Sequence, residues 1–145
     1  MPTRSARTSW TGGLQDGSGT VELTSSGAGS FEVSFPKRAA DEAGGTTSPE
    51  ELIAAAHTSC YAMALSGELA SAGGTPRSLD VSADVTLRPD PAGGFRISGV
   101  ALTVRGQVDG LDEAAFVTAA EAAKAGCPVS KALTGTTITL DAALA

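Results

Sequence analysis

The stretch SPEELIAAAHTSCYAMALSG, residues 48–67, decides the fold. Ser48 is a favoured helix N-cap, Pro49 fits the first helical position, and Glu51 completes an S-x-x-E capping box. The pattern therefore predicts a helix from Pro49 to about Ala72. Because the middle of this helix is apolar on most faces, we expect it to be buried all round, at the centre of the fold or of a dimer.

Strand patterns lie on both sides of this helix. The other expected elements, in chain order, are strands at 8–11, 19–24 and 30–35, a polar loop at 36–47, a hairpin of strands at 78–88 and 95–108, helices at 112–125 and 128–133, and a strand at 136–140. The second strand of the hairpin changes its apolar phase, which predicts a β-bulge near Gly99. This order of elements is α+β, and the length predicts a single domain over 1–145.

Composition and charge argue against several classes of protein. Apolar residues make up 41% of the chain and charged residues 18%, which is typical of a globular domain. The formal net charge of −6 leaves no basic field, so neither nucleic acid nor membrane is expected as a partner. The first residues include arginines but no apolar stretch behind them, which predicts a cytoplasmic protein. Two cysteines in that reducing compartment favour a catalytic, redox or metal role over a permanent disulfide.

The two cysteines, Cys60 and Cys127, are expected in different helical environments. Cys60 lies about three turns inside the long helix, whereas Pro128 makes Cys127 the N-cap of the short helix. The helix dipole therefore favours a thiolate at Cys127 and contributes almost nothing at Cys60, where burial raises the pKa. A reactive Cys60 needs a cation from elsewhere in the chain, and an arginine suits this better than a lysine because it can also orient a substrate oxygen. On composition alone, a role for Cys60 as a small buried hydrophobe carries equal weight.

Other features of the sequence support competing interpretations. His57 and Cys60 share a helical face, and with Cys127 they could form a zinc site with one open position, although a helical H-x-x-C lacks the usual ligand spacing. A non-catalytic dimeric binding module with both cysteines in its core is a further alternative. Without a catalytic role, Glu50 is a carboxylate stabilised at the positive end of the helix dipole, and Arg38 is a solvated charge on a loop. The chain has neither a G-x-x-x-x-G-K phosphate loop nor a G-x-S-x-G nucleophile elbow.

Two motifs resemble those of a known family. TSPEELIAAAHTSCYAMAL, residues 47–65, resembles the first cysteine helix of the OsmC/Ohr family of thiol peroxidases, and KAGCPVSKAL, residues 124–133, resembles its second cysteine motif. The similarity covers nearly the whole chain, and the AAH before the first cysteine and the VSKAL after the second are more similar to the OsmC branch. The resemblance implies an OsmC-like fold that forms an intertwined homodimer, with the cysteine helices packed at its centre.

The resemblance also implies a set of site residues. Cys60 is the expected peroxidatic cysteine, and Cys127 is the expected resolving cysteine. Arg38, in FPKR, matches the arginine that activates the thiolate and binds peroxide, and Lys37 is the neighbour with which it could be confused. Glu50, in SPEE, matches the glutamate that holds this arginine.

The implied activity is the reduction of hydroperoxides to alcohols through a Cys60 sulfenic acid and a Cys60–Cys127 disulfide. An external dithiol must reopen this disulfide, and family members use lipoyl or other small dithiols. Organic hydroperoxides are expected over hydrogen peroxide alone, because the helix face around the first cysteine offers Ile53, Ala56 and Met63 as apolar walls. Neither a cofactor nor a metal is expected.

Overall fold

A computed structural model describes residues 1–145, and contacts within the chain divide it into two units, Met1–Leu52 and Ile53–Ala145. The elements are β1 (Arg7–Thr11), β2 (Ser18–Glu22), β3 (Ser30–Val33), α1 (Phe35–Arg38), α2 (Pro49–Ser71), β4 (Thr75–Pro89), β5 (Phe95–Asp109), α3 (Glu113–Gly126), α4 (Pro128–Ala132) and β6 (Thr137–Leu144). This confirms the α+β prediction, whereas the single domain expected over 1–145 stays a prediction. No helix has the length and apolar character needed to cross a bilayer.

The first unit contains a three-stranded antiparallel sheet with β2 in the middle. Val21 of β2 pairs with Thr8 on one side and with Phe31 on the other. Val21 is the one strand residue of this sheet whose side chain is buried, whereas Trp10 and Phe31 are 44% and 40% exposed. A three-stranded sheet with so little burial has almost no hydrophobic core of its own.

A short helix, α1, occupies Phe35–Arg38, where the sequence patterns predict the end of a strand and the start of a polar loop. That boundary is wrong because Ser34 caps a helix: its hydroxyl oxygen accepts from the Lys37 N–H at 3.4 Å, and Pro36 lies in the first turn. A serine cap followed by proline is a helix start signal. With only four residues, however, the helix is too short to show a periodic pattern.

The long helix α2 begins at Pro49 and ends at Ser71, which confirms the predicted helix to within a residue. Ser48 acts as the predicted N-cap, because its hydroxyl oxygen accepts from the Glu51 N–H at 3.2 Å. The other half of the capping box differs, since the Glu51 carboxylate accepts from the Thr47 hydroxyl. The start of α2 is thus fixed by side chains before its first turn and within it.

The second unit contains a sheet in the order β4-β5-β6. β4 and β5 form the predicted antiparallel hairpin, and their register shifts between Thr86 and Leu87, which confirms the bulge beside Gly99. β6 runs parallel to β5 and extends to Leu144, past the predicted end at Leu140. The extension follows from pairing with β5, because the alanines of this segment have little strand propensity of their own.

The core of the second unit lies between its helices and the sheet. Its buried side chains are Tyr61, Leu65, Leu69, Val100, Leu102, Val104, Phe116, Ala119, Ala120, Ala123 and Cys127. On α2 the buried side chains recur every four residues, so one face of the helix packs against this core. The opposite face is open within the chain: Met63 is 76% exposed, and Ala56 and Ser59 are exposed as well. The expectation that α2 is buried all round at the centre of the fold is therefore wrong for the single chain, because an alanine-rich helix has no polar stripe to reveal its open face. Burial at the centre of a dimer stays a prediction.

Replacing Phe116 tests this core. The residue is fully buried on α3, and a Cβ added to Gly106 of β5 would lie 2.7 Å from its ring. Phe116→Ala should lower the free energy of unfolding by about 3–5 kcal/mol, because it leaves a cavity. Val117→Ala, at a 36% exposed position on the same helix, should change it by less than about 1 kcal/mol. Urea unfolding at one fixed protein concentration measures both, and equal losses would contradict this packing.

Candidate active site

The two cysteines lie side by side in the second unit. Cys60 is about three turns inside α2, and Cys127 is the predicted N-cap of α4. Their Sγ atoms are 3.0 Å apart, and neither is in a disulfide. Cys60 is half-buried, whereas Cys127 has no exposed surface. Because an S–S bond is about 2.05 Å long, a relative shift of about 1 Å would bring the sulfurs to bonding distance.

The surroundings of Cys60 oppose its ionisation. Burial raises the pKa of this thiol, and the sulfur of Cys127 raises it further. A hydrogen bond from the Val129 N–H lowers the pKa but does not reverse the shift, and no lysine or arginine of residues 53–145 offsets it. This agrees with the expectation that a reactive Cys60 needs a cation from elsewhere.

The surroundings of Cys127 act in the opposite direction. Burial raises the pKa of this thiol, but hydrogen bonds hold the pKa below its ordinary value. The partners in these bonds are the sulfur of Cys60, the N–H and hydroxyl of Ser130, and the N–H of Val129. Within the second unit by itself, the pKa of Cys60 is therefore raised and the pKa of Cys127 is lowered, which favours ionisation of Cys127.

A buried histidine, His57, lies beside this pair. It has no exposed surface, its Nε2 is 2.8 Å from the Ser130 Oγ, and its Nδ1 has no partner. Burial lowers its pKa, so the imidazole is neutral at neutral pH. The zinc site considered as an alternative, with His57, Cys60 and Cys127 as ligands, is not assembled: no three His, Cys, Asp or Glu side chains converge as a metal site would require.

Two residues around the cysteines were missed by the sequence analysis. Ser130 is 7% exposed and lies three residues after Cys127, a spacing at which a side chain in the first turn of a helix can face its N-cap. This spacing in the sequence could have identified Ser130 as a neighbour of Cys127. Tyr61 is fully buried and its hydroxyl donates to the Ala120 carbonyl at 3.0 Å, which ties α2 to α3. Burial raises the pKa of Tyr61, so the phenol stays protonated.

In the first unit, Arg38 and Glu50 form a bidentate ion pair. The Arg38 Nε is 3.1 Å from each carboxylate oxygen, and Nη2 is 2.6 Å from Oε1. The hydrogen bond with Glu50 raises the pKa of Arg38, and Glu50 is only 8% exposed. Lys37 has no carboxylate partner. Arg38, at the end of α1, is therefore the cation that Glu50 holds.

The three expected wall residues lie on α2. Ala56 and Met63 are one turn before and one turn after Cys60, so they lie on its side of the helix, and both are exposed. Ile53 is half-buried one turn nearer the N-terminus. The helix surface around Cys60 is thus apolar and open within the chain.

Reaction of the reduced protein with diamide, a general thiol oxidant, tests the sulfur geometry without any peroxide. The 3.0 Å separation predicts rapid loss of both thiols and a Cys60–Cys127 disulfide within one chain. Because this disulfide closes a loop spanning 67 residues, the oxidised protein should be more stable to unfolding by up to about 4 kcal/mol. Thiol counting and non-reducing mass analysis measure the product. Disulfides formed only between chains would contradict the geometry.

Comparison with known proteins finds one family over most of the chain. Residues 41–141 match the family described as OsmC-like protein. The chain is 45% identical over 132 residues to Peroxiredoxin OsmC of Escherichia coli strain K12, and the match covers 91% of this chain and 90% of that protein.

Solved structures show the same fold. A crystal structure of an organic hydroperoxide resistance protein from Elizabethkingia anophelis is 27% identical, with a TM-score of 0.80 over 100% of this chain and 98% of that one. The organic hydroperoxide resistance protein OhrB of Bacillus subtilis is 27% identical, with a TM-score of 0.73 over 95% and 97% of the two chains. These matches confirm the resemblance seen in the two cysteine motifs. The chain belongs to the OsmC-like protein family and is a member of its OsmC branch.

Proposed function

We propose that this chain is a thiol-dependent peroxidase that reduces organic hydroperoxides to alcohols. The observation that carries the proposal is the pair of free sulfurs, Cys60 and Cys127, 3.0 Å apart. A two-cysteine peroxide cycle needs a reactive thiol with a second thiol within bonding reach. The names of the relatives support this function: the E. coli protein is called a peroxiredoxin, and the Elizabethkingia and Bacillus proteins are called organic hydroperoxide resistance proteins.

The proposed cycle has three steps. The Cys60 thiolate attacks the terminal peroxide oxygen, the O–O bond breaks, the alkoxide takes a proton to become the alcohol, and Cys60 becomes a sulfenic acid. The Cys127 thiolate then attacks the Cys60 sulfur, the S–O bond breaks, and the hydroxide released becomes water. An external dithiol, for which the family suggests the lipoyl type, reduces the disulfide by exchange and is itself oxidised to a disulfide.

The roles of the two cysteines follow from their accessibility. Cys60 is half-buried and can be reached by a substrate, whereas Cys127 has no exposed surface. The first step nevertheless needs the thiolate on Cys60, and the second unit by itself favours it on Cys127. A cation near Cys60 would reverse this preference.

Arg38 is the proposed cation. One positive charge about 4 Å from the sulfur is worth about 4 kcal/mol at an effective dielectric of about 20, which outweighs a modest desolvation penalty. A planar guanidinium can also bind the peroxide and stabilise the leaving alkoxide. The ion pair with Glu50 supports Arg38 over Lys37, because it fixes the orientation of the guanidinium.

The proposed assembly is a homodimer in the cytoplasm. Trp10 and Phe31 of the first unit are exposed, and so is Met63 near the middle of α2. A second copy of the chain would bury such surfaces, and the small Ala56 and Ser59 on the open face of α2 would allow a close helix contact. A reducing cytoplasm is compatible with cysteines that are free at rest and form a disulfide once in each cycle.

The substrate is proposed to be an organic hydroperoxide because of the residues around Cys60. Ala56 and Met63 flank it on α2, and Ile53 lies one turn beyond Ala56. An apolar surface of this kind favours the alkyl or aryl part of a hydroperoxide, which hydrogen peroxide lacks.

One equivalent of cumene hydroperoxide tests the cycle. The reduced protein should lose both thiols and form one equivalent of the alcohol, because the disulfide closes after each reduction. Cys127→Ser should stop at the Cys60 sulfenic acid, which dimedone traps. Cys60→Ser should reduce no peroxide. Full turnover by Cys60→Ser would show that the roles are assigned wrongly.

Kinetics of the first step test the role of Arg38. Arg38→Ala should lower the second-order rate constant for cumene hydroperoxide by about 10²–10³-fold, because one stabilising charge is lost at the reacting atoms. Arg38→Lys should recover only part of this loss, since an ammonium cannot bind both Glu50 and peroxide in the same geometry. Lys37→Ala is the matched control and should stay within about twofold. A larger loss in Lys37→Ala than in Arg38→Ala would move the role to Lys37.

A further inference from the structure

The single histidine of the chain, His57, is fully buried beside the cysteines and has no part in the proposed cycle. Its Nε2 is 2.8 Å from the Ser130 Oγ, and its Nδ1 has no partner. A neutral imidazole carries one N–H. With the proton on Nδ1, a buried donor would lack an acceptor, whereas with the proton on Nε2 the donor is used and only an acceptor is left unpaired. The geometry therefore favours Nε2–H donating to the Ser130 oxygen.

Ser130 connects this histidine to the resolving sulfur. Because its oxygen accepts from His57, its own proton is directed to a different acceptor. Ser130 is buried in the first turn of α4, three residues after its N-cap Cys127, and its hydroxyl and N–H lower the pKa of that thiol. An ionised sulfur accepts hydrogen bonds more strongly than a neutral one. His57 is thus bonded to Ser130, and Ser130 lies one helical turn from the Cys127 sulfur.

We infer that Ser130 and His57 are positioning residues for the resolving cysteine: the Ser130 hydroxyl donates to the Cys127 thiolate, and His57 fixes that hydroxyl in the donating orientation. The inference rests on the proposed peroxidase cycle, in which Cys127 acts twice as a thiolate. It is first the nucleophile that attacks the Cys60 sulfenic acid and displaces hydroxide. It is later the leaving group, when a thiolate of the external dithiol attacks the Cys60 sulfur and the electron pair of the S–S bond passes to Cys127.

No cation of residues 53–145 lowers the pKa of Cys127. Within residues 53–145, the titratable groups on the helices packed around it are Cys60, His57, Tyr61 and Glu68 on α2, Glu113, Glu121 and Lys124 on α3, and Lys131 on α4. The Lys124 ammonium is 2.9 Å from the Glu121 carboxylate, and Lys131 is exposed. The strand residues of the same core cluster are apolar. Hydrogen-bond donors are therefore the groups that stabilise a thiolate at this position.

The pKa of Cys127 can be measured directly in a Cys60→Ser background, where it is the only thiol. The ultraviolet absorbance of the thiolate should titrate about one pH unit higher in Ser130→Ala, a tenfold change in the ionisation constant, because one charge-assisted hydrogen bond is lost. His57→Leu should raise the midpoint by a smaller amount, and should add nothing in the presence of Ser130→Ala, since it acts through that hydroxyl. Ser71→Ala is the matched control, because that hydroxyl donates to the Gly67 carbonyl of its own helix.

The pH dependence of disulfide closure gives a second measurement, on protein with both cysteines after one equivalent of cumene hydroperoxide. Raising a thiol pKa by one unit lowers the thiolate fraction about tenfold at low pH but raises the intrinsic nucleophilicity about threefold. Compared with the parent, Ser130→Ala should therefore close its disulfide about threefold more slowly at a pH below the Cys127 midpoints of both proteins. At a pH above both midpoints it should close about threefold faster. Rapid quenching with an alkylating reagent measures the rate. A merely structural role for Ser130 would slow closure at every pH.

Conservative variants separate the donor role of His57 from its packing role. The side-chain amide of His57→Gln can still donate to Ser130, so this variant should keep the Cys127 midpoint within a few tenths of a pH unit of the parent. The side chain of His57→Asn is too short to reach Ser130, so this variant should behave like His57→Leu. If His57→Leu does not fold, comparison of the glutamine and asparagine variants tests the donor role.

Two outcomes distinguish this inference from the proposed function. An unchanged Cys127 midpoint in Ser130→Ala, or closure slowed equally at every pH, would overturn the inference and leave the peroxidase cycle standing. Failure of the unmodified protein to form a Cys60–Cys127 disulfide with peroxide would overturn the cycle itself.

Discussion

Two sulfur atoms 3.0 Å apart, one of them fully buried, do not both carry a negative charge near neutral pH, and the rest of the site depends on this constraint. Within residues 53–145, hydrogen bonds hold the pKa of Cys127 below its ordinary value, while burial raises the pKa of Cys60, the more accessible sulfur. Peroxide chemistry that begins at Cys60 needs the reverse distribution. In the proposed cycle, the guanidinium of Arg38 selects Cys60 for the first step, and the donors from Ser130 and His57 favour Cys127 for the second.

The helix α2 brings this site into the core. Residues 57–61, little more than one turn of the helix, make three contacts. His57 contacts Ser130, Cys60 contacts Cys127, and Tyr61 donates to the Ala120 carbonyl. All three connect α2 to the last two helices of the chain. The distance between the sulfurs is therefore set by helix packing in the core, and disulfide closure requires small movements of side chains.

Local signals made much of the fold predictable. The serine and proline at 48–49 fixed the start of α2, the alternation at 78–88 fixed a strand, and the proline after Cys127 fixed its place as an N-cap. Features set by distant contacts were not predictable in this way. The extended end of β6 depends on its pairing with β5, and the open face of α2 is hidden in the sequence by alanines.

In the candidate site, too, residues within local motifs were predictable and contacts between distant segments were not. The two cysteine motifs and their family resemblance predicted Cys60 and Cys127 as a pair, and the structure places their sulfurs in contact. The bond between His57 and Ser130 joins residues 73 positions apart, and each of them looks ordinary in its own segment. A lone histidine on an apolar helix face gives no sign of its partner until the helices are packed.

The central claim is that Arg38 selects Cys60 as the sulfur that ionises first. Its most direct test is the protonation state of each sulfur, read from the chemical shifts of isotopically labelled cysteine Cβ carbons as the pH is raised. In the reduced, unmodified protein, the first ionisation should appear at Cys60, at or below neutral pH, because Arg38 stabilises that thiolate. In Arg38→Ala, the first ionisation should appear at Cys127 instead. A first ionisation at Cys127 in both proteins would contradict the assignment of Arg38 as the charge that selects the reacting sulfur.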